Sequence, residues 1–256
     1  MEIAVHIDAV GREAKSLAAA AEQGGLEVEI EGCPGWNMRD LVRHLAEIHL
    51  WAAARVDKRT DKLFPDDISE HVESWPDLAV FWPDDDDLVG WYLETNANLV
   101  QVLEAAPADL DCPTFLPAPS PLAMWARRQA HETAVHRFDA EHAAGITTDF
   151  DPAFASDGID ELLTAFAPRR TDWPVEKTER MMVHATDTDD QWVVTMAPDG
   201  ITTVREGGPA DVTLTGTATD LYLNTWNRIP DSAVAVVGNT DVLDTWHGNN
   251  RVRWFT

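Results

Sequence analysis

The segment AHETAVHRFDAEH (residues 130–142) sets His131 beside Glu132, with another histidine close behind. A zinc-protease helix needs two histidines four residues apart with a glutamate next to the first. Position 135 is Val135, however, and the second histidine arrives at His136. Successive helical residues turn by about 100°, so His131 and His136 point about 140° apart, whereas Glu132 and His136 fall within about 40° of each other. A metal on this helix would be held by Glu132 and His136. Leu122, Trp125, Gln129, Glu132, His136, Ala140 and Ala143 follow one helical stripe, which turns the acid and the histidine inward. A buried carboxylate needs a partner. In WNMRDLVRHLAEIHLW (36–51), His44 shares a face with Leu41, Ile48 and Trp51, while His49 points elsewhere. One helix offering an inward His, and another an inward Glu with His four residues later, is an arrangement by which bundles build core metal sites. The set His44, Glu132 and His136 supplies two imidazoles and one carboxylate and leaves a fourth position open, as in catalytic zinc sites.

Spacing alone leaves a second reading open, in which the histidines are hydrogen-bonded core residues and Glu132 and His136 form a local helix pair. Asp139, three residues beyond His136, either orients that histidine or binds Arg43 or another cation. His131 and His142 are expected at the surface.

These residues need helices to carry them. Helical periodicity covers roughly 5–24, 37–57, 86–106, 121–144 and 153–167, a helical bundle plus an extra helix over residues 1–167. The second helix has a marked start: Pro34 and Gly35 make a turn, Asn37 caps, and Asp40 stands three residues on in a capping-box position. Ser120 and Pro121 mark the start of the fourth. After a polar linker near 168–179 the period changes to two. Strands are expected near 191–197, 201–206 and 211–216, burying Trp192, Val194, Met196, Val212 and Leu214, with a hairpin turn at Asp199 and Gly200. Short helices follow near 218–228 and 240–247. The fold class is therefore α+β: a helical bundle over 1–167 and a small C-terminal α/β domain over 180–256.

Composition excludes several classes. With 19 Lys+Arg against 45 Asp+Glu the net charge is −26, which repels nucleic-acid phosphates and anionic lipid. The first residues carry Glu2 and Asp8 and no apolar h-region, and nowhere do 18 consecutive apolar residues occur. A soluble cytoplasmic protein is expected, with no nucleic-acid or membrane partner. Cys33 and Cys112 are too few for a disulfide framework. The acidic run at 82–87, WPDDDD, reads as a solvated helix start, and most of the eleven tryptophans read as core.

GCPGWNMRDLVRHLAEIHLWAA (32–53) followed by RRQAHETAVHRFDAEHAAG (127–145) resembles the actinobacterial mycothiol-dependent maleylpyruvate isomerase family, a branch of the DinB/YfiT-like metal-binding four-helix bundles. In that pattern the histidine eight positions after the Gly-Trp tryptophan is a ligand, here His44 counted from Trp36, and the E-x-x-x-H pair is Glu132 and His136. The stretch 189–230 resembles the family's sterol-carrier-like C-terminal domain. The resemblance implies a zinc ion, or another divalent first-row metal, and mycothiol as the second cofactor. A thiol at the open position of a cationic zinc loses its proton near neutral pH. The thiolate then adds to a small electrophilic substrate, isomerising it if the thiol leaves again and transferring sulfur if it stays. Neither Cys33, ahead of the second helix, nor Cys112, in a Pro-rich loop, supplies that nucleophile, which fits an external thiol.

Around such a site Trp125 is expected to line the cavity and Gln129 to hold the sugar-bearing thiol. A diacid substrate calls for cations, yet no Lys or Arg occurs from Leu63 to Ala126. Arg39, Arg43, Arg127, Arg128 and Arg137 remain, with Arg128, one turn before Glu132, best placed. Two other classes stay open. One is a zinc-dependent hydrolase using metal-activated water, for which Glu47 is the neighbouring carboxylate. The other is a non-catalytic, metal-stabilised binding protein. In each case the expected unit is a monomer or homodimer.

Overall fold

The computed structural model describes residues 1–58 and 82–250, and these divide into two compact units, Met1–Thr148 and the chain from Asp149 onward. The first holds four helices: α1 Ile3–Gly24, α2 Met38–Lys58, α3 Asp85–Ala105 and α4 Pro121–Ala143. α1 packs on α3 and α4, and α2 on the same two, so each pair shares a core. Val10 and Leu17, Leu41 and Leu45, Leu88 and Leu99, and Trp125 and Ala126 fill it at helical spacing. The acid run opens α3 as expected, with Asp84 at the N-cap and Asp85, Asp86 and Asp87 in the first turn, where the helix dipole favours negative charge. Among the described residues no helix is long and apolar enough to cross a membrane.

α4 departs from the two-faced pattern. Its alanines at 126, 130, 134 and 140 are all fully buried, and so are the polar His131 and Thr133 on other sides of the helix, with Arg137 mostly buried. His131, expected at the surface, is 0% exposed and sets its ring edge-on to that of His6 at 5.9 Å. A helix covered on nearly every side gives no wet face against which a stripe can be read, which is why the sidedness argument failed for this residue. His142 does lie at the surface, near Glu31.

The second unit contains α5 Pro152–Glu161, a five-stranded sheet, α6 Ala218–Thr225 and α7 Asp241–Asn249. The extra helix expected to join the bundle within 1–167 belongs here instead. α5 continues through a π-helical turn, Leu162–Phe166, and a 3-10 turn, Ala167–Arg169, and packs on α6. Asp160 accepts from the Trp192 indole at 3.1 Å, and the Leu163 carbonyl accepts from Thr203 at 2.6 Å, so polar groups as well as apolar ones tie it to the sheet. The strands are β1 Glu179–Ala185, β2 Gln191–Ala197, β3 Gly200–Val204, β4 Val212–Gly216 and β5 Ala235–Gly238, ordered β3-β2-β1-β4-β5. β1 runs antiparallel to β2 with Met181 opposite Val194 and Val183 opposite Trp192, and parallel to β4 with Met181 beside Val212 and Val183 beside Leu214. Trp192, Val194, Met196, Val212 and Leu214 are all buried, as their alternation requires. At the β2–β3 turn Gly200 has φ +134°, and a Cβ there would lie 2.8 Å from the Arg170 carbonyl oxygen, so both backbone and space call for glycine.

Candidate metal centre

The turn ahead of α2 sets up the site. Ile30 N donates to Trp36 O at 2.9 Å and Met38 N to Val28 O at 2.8 Å, while Gly35 supplies the left-handed residue with φ +89°. Asn37 and Asp40 then form a reciprocal cap, Asn37 N to Asp40 Oδ2 at 3.0 Å and Asp40 N to Asn37 Oδ1 at 3.1 Å. The start of α2, and with it the angle of His44, is thereby fixed. On α4 the Ser120 hydroxyl accepts from Ala123 N at 3.2 Å.

His44 from α2 and Glu132 and His136 from α4 come together, all buried. Glu132 Oε1 lies 3.4 Å from His44 Nε2 and 3.6 Å from His136 Nε2, and the three donor atoms fall within 4.8 Å of one another. Zinc bonds of 2.0–2.1 Å in a tetrahedron put neighbouring ligand atoms about 3.3 Å apart. The observed separations have that scale, and the donor set of two imidazoles and a carboxylate suits a borderline-soft divalent ion. The residues present therefore fit a zinc-type ion.

Asp139 orients His136: its Oδ2 accepts from Nδ1 at 2.8 Å, so Nε2 is the nitrogen turned to Glu132. Arg128 donates to Glu132 Oε2 at 3.0 Å, which leaves Oε1 for the histidines. Burial pushes the Glu132 carboxyl up, but bonds to His136 and His44 and the Arg128 charge outweigh it and hold the group ionised. Burial also lowers His44, and the neighbouring Glu132 offsets only part of that, so its imidazole stays neutral. His136 behaves oppositely: desolvation is outweighed by Asp139, Cys33 and Glu132, which raise it well above its ordinary value.

The other expected residues are distributed less simply. Trp125 is buried, donates its indole N–H to the Pro113 carbonyl at 3.1 Å, and meets Trp51 edge-on at 5.0 Å and Phe115 at 5.7 Å. Two helical turns separate Trp125 from Glu132, and two separate Trp51 from His44, so the aromatic cluster lies along the same α2–α4 seam as the donors. Gln129 is buried on that seam, and its side-chain oxygen has no hydrogen bond among the described residues. Arg39 is held by Glu27 and Asp85, Arg43 lies over the Trp82 ring at 4.4 Å, and Arg137 is tied to Glu13 and Glu141. His49 is also buried, bonded to Thr133 at 3.1 Å and stacked on Tyr92 at 5.5 Å. Two neighbours of the site escaped the sequence reading: Trp36, whose ring meets that of His44 at 4.9 Å, and Cys33, 3.7 Å from Asp139. Their signal was the turn chemistry of Pro34 and Gly35, which shows that the chain reverses but not what it reverses onto.

Glu47 accepts from the Trp82 indole at 2.5 Å. Burial pushes its carboxyl up to about 7, against the lowering effects of Trp82 and Arg43. The folded chain keeps this proton where an unfolded one, with its ordinary value of 4.5, has released it. Stability contributed by Glu47 therefore falls as pH rises from about 4.5 to about 7. Each unit between the two values is worth ~1.4 kcal/mol. Glu47→Gln, which keeps an acceptor for Trp82, is expected to flatten that decline when urea midpoints are compared at intervals across this range. Superimposable pH profiles for the two proteins would refute it.

Family models match both units: the mycothiol maleylpyruvate isomerase N-terminal domain over residues 7–141 and the corresponding C-terminal domain over 153–245. Two solved structures of the mycothiol-dependent maleylpyruvate isomerase, one of them a histidine-to-alanine mutant, each superpose with a TM-score of 0.64 at 11% identity, covering 92% of this chain and 93% of theirs. At that identity the likeness is one of fold. No curated protein matches the sequence.

Proposed function

The chain belongs to the mycothiol maleylpyruvate isomerase family, and on that footing we propose that it is a thiol-dependent enzyme which isomerises, or transfers sulfur to, a small electrophile, with zinc held by His44, Glu132 and His136. The observation that carries the reading is the convergence of His44 Nε2 and His136 Nε2 on one oxygen of Glu132, at 3.4 and 3.6 Å, inside a buried seam. Zinc held there would lower the pKa of a bound thiol so that thiolate is present near neutral pH. Asp139 keeps His136 with its Nδ1 protonated and its Nε2 turned to the site, and Arg128 keeps Glu132 ionised and aimed. Trp36 packs against the His44 ring at 4.9 Å. Gln129 offers a buried acceptor to the polar part of the thiol, and Trp125 with Trp51 and Phe115 gives an apolar wall. Cys33 is engaged with Asp139, which is consistent with a thiol brought from outside. With addition to a conjugated double bond, rotation and loss of the thiol return an isomer; with a leaving group on the electrophile, the thioether remains.

Titration calorimetry of the zinc-loaded protein with mycothiol, in two buffers of different ionisation enthalpy, tests this reading. A buffer-dependent heat marking release of a proton is expected, and it should disappear in Glu132→Ala. Absence of binding by mycothiol and by smaller thiols, on protein containing one zinc per chain, would remove the thiol from the reading.

A further inference from the structure

The turn before α2 reaches both histidines of the site. Trp36 lies against the ring of His44 at 4.9 Å, and three residues earlier Cys33 Sγ donates to Asp139 Oδ2 at 3.7 Å. That same carboxylate oxygen accepts from His136 Nδ1 at 2.8 Å. Cys33, Asp139 and His136 are all buried, with their polar atoms within 4.8 Å of one another. Cys33 is itself held by the turn, its N–H donating to Ile30 O at 3.1 Å and its carbonyl accepting from Trp36 N at 3.0 Å.

We propose that Cys33 is a positioning residue for His136, acting through Asp139, so that one turn braces both histidines; the proposal rests on the reading of His44, Glu132 and His136 as metal ligands. A carboxylate rotates easily about its terminal torsion, which is broad rather than three-welled. The oxygen that meets His136 Nδ1 is the one whose direction matters for the ring. A second donor on the same oxygen pins that oxygen toward His136 Nδ1, fixing both the tautomer and the ring plane. A thiol is a weak donor, but in a buried site it does not compete with water for the acceptor. Cys33 takes no part in covalent chemistry in this role.

The test compares Cys33→Ser, which keeps a donor, with Cys33→Ala and Cys33→Val, which remove it; Val also fills the space. Zinc affinity, measured by competition with a chelator, is expected to fall about tenfold in the Ala and Val variants and to stay within about threefold of the parent in Ser, the scale seen when an outer partner of a metal-bound histidine is lost. Nitrogen-15 spectra of the metal-free protein provide a second readout. The parent is expected to show one sharp Nδ1–H resonance for His136, held by Asp139, and the Val variant a broadened or split one. Parental zinc affinity together with a parental His136 spectrum in Cys33→Val would overturn the proposal. A parent that takes up no zinc would instead count against the metal reading, and the His136 spectra would then decide the role of Cys33 by themselves.

Discussion

Purified protein is expected to carry about one zinc per chain, and His44→Ala, Glu132→Ala and His136→Ala are each expected to strip it. Structural zinc sites hold their metal with ~10–16 kcal/mol, so losing one of three protein ligands is expected to cost roughly 3–5 kcal/mol, a hundredfold or more in affinity. Glu132→Ala should be the most damaging, because it also leaves Arg128 buried without the carboxylate it faces at 3.0 Å. His131→Ala and His49→Ala are the informative controls. Both remove a buried histidine from the same bundle, but His131 turns to His6 and His49 to Thr133 and Tyr92. Metal analysis after gel filtration, with a circular dichroism spectrum to show that each variant is folded, decides the matter. Loss of zinc from His131→Ala with retention in His136→Ala would reverse the assignment of the α4 face.

Arg137→Ala is expected to cost about 3 kcal/mol of stability. Its guanidinium joins α4 to α1 by a bond to Glu13 Oε2 at 2.5 Å and braces its own helix by one to Glu141 Oε2 at 3.0 Å. Glu13 is only 2% exposed. Removing one partner of a buried pair leaves an uncompensated charge, typically a loss of 3–5 kcal/mol. The value belongs at the lower end, since Arg12 still approaches Glu13 Oε1 at 3.1 Å. Glu13→Gln in the Arg137→Ala background should recover part of the loss by removing the stranded charge. Urea unfolding provides the measurement: the midpoint moves down while the slope is unchanged. A midpoint within error of the parent for Arg137→Ala would show that this pair contributes nothing to holding α1 against α4.

The helices and the three converging side chains were legible because both rest on local rules. Helical spacing put Glu132 and His136 on one face, and the capping chemistry at Asn37, Asp40 and Ser120 marked where α2 and α4 begin. What escaped depends on contacts between distant segments. β1 was hidden because Glu179 and Arg180 open it with charge and because the loop that joins it to β2, TDTDD at 186–190, carries no glycine, proline or asparagine to mark the hairpin, while its parallel partner β4 lies farther along the chain. β5 is a four-residue strand with Val237 largely exposed, too short and too wet to show alternation. The helix at 152–161 was legible as a helix, but an amphipathic stripe does not say which core it serves. Cys33 could not be placed because its partner, Asp139, is 106 residues away.

The mixed pairing of β1 has a kinetic meaning. β1, β2 and β3 are joined by short turns, and such hairpins close within microseconds. β4 must come alongside β1 with the whole β2–β3 hairpin in the intervening loop, a closure whose entropic cost precedes any reward in contacts. Loop length favours closure of the three-stranded meander ahead of β4, and until β4 docks the backbone N–H and C=O groups along one edge of β1 have no strand partner. An open edge recruits other chains as readily as its own. During that interval the fate of the second unit depends on concentration, and the exposed side is the one that the finished sheet keeps at its centre.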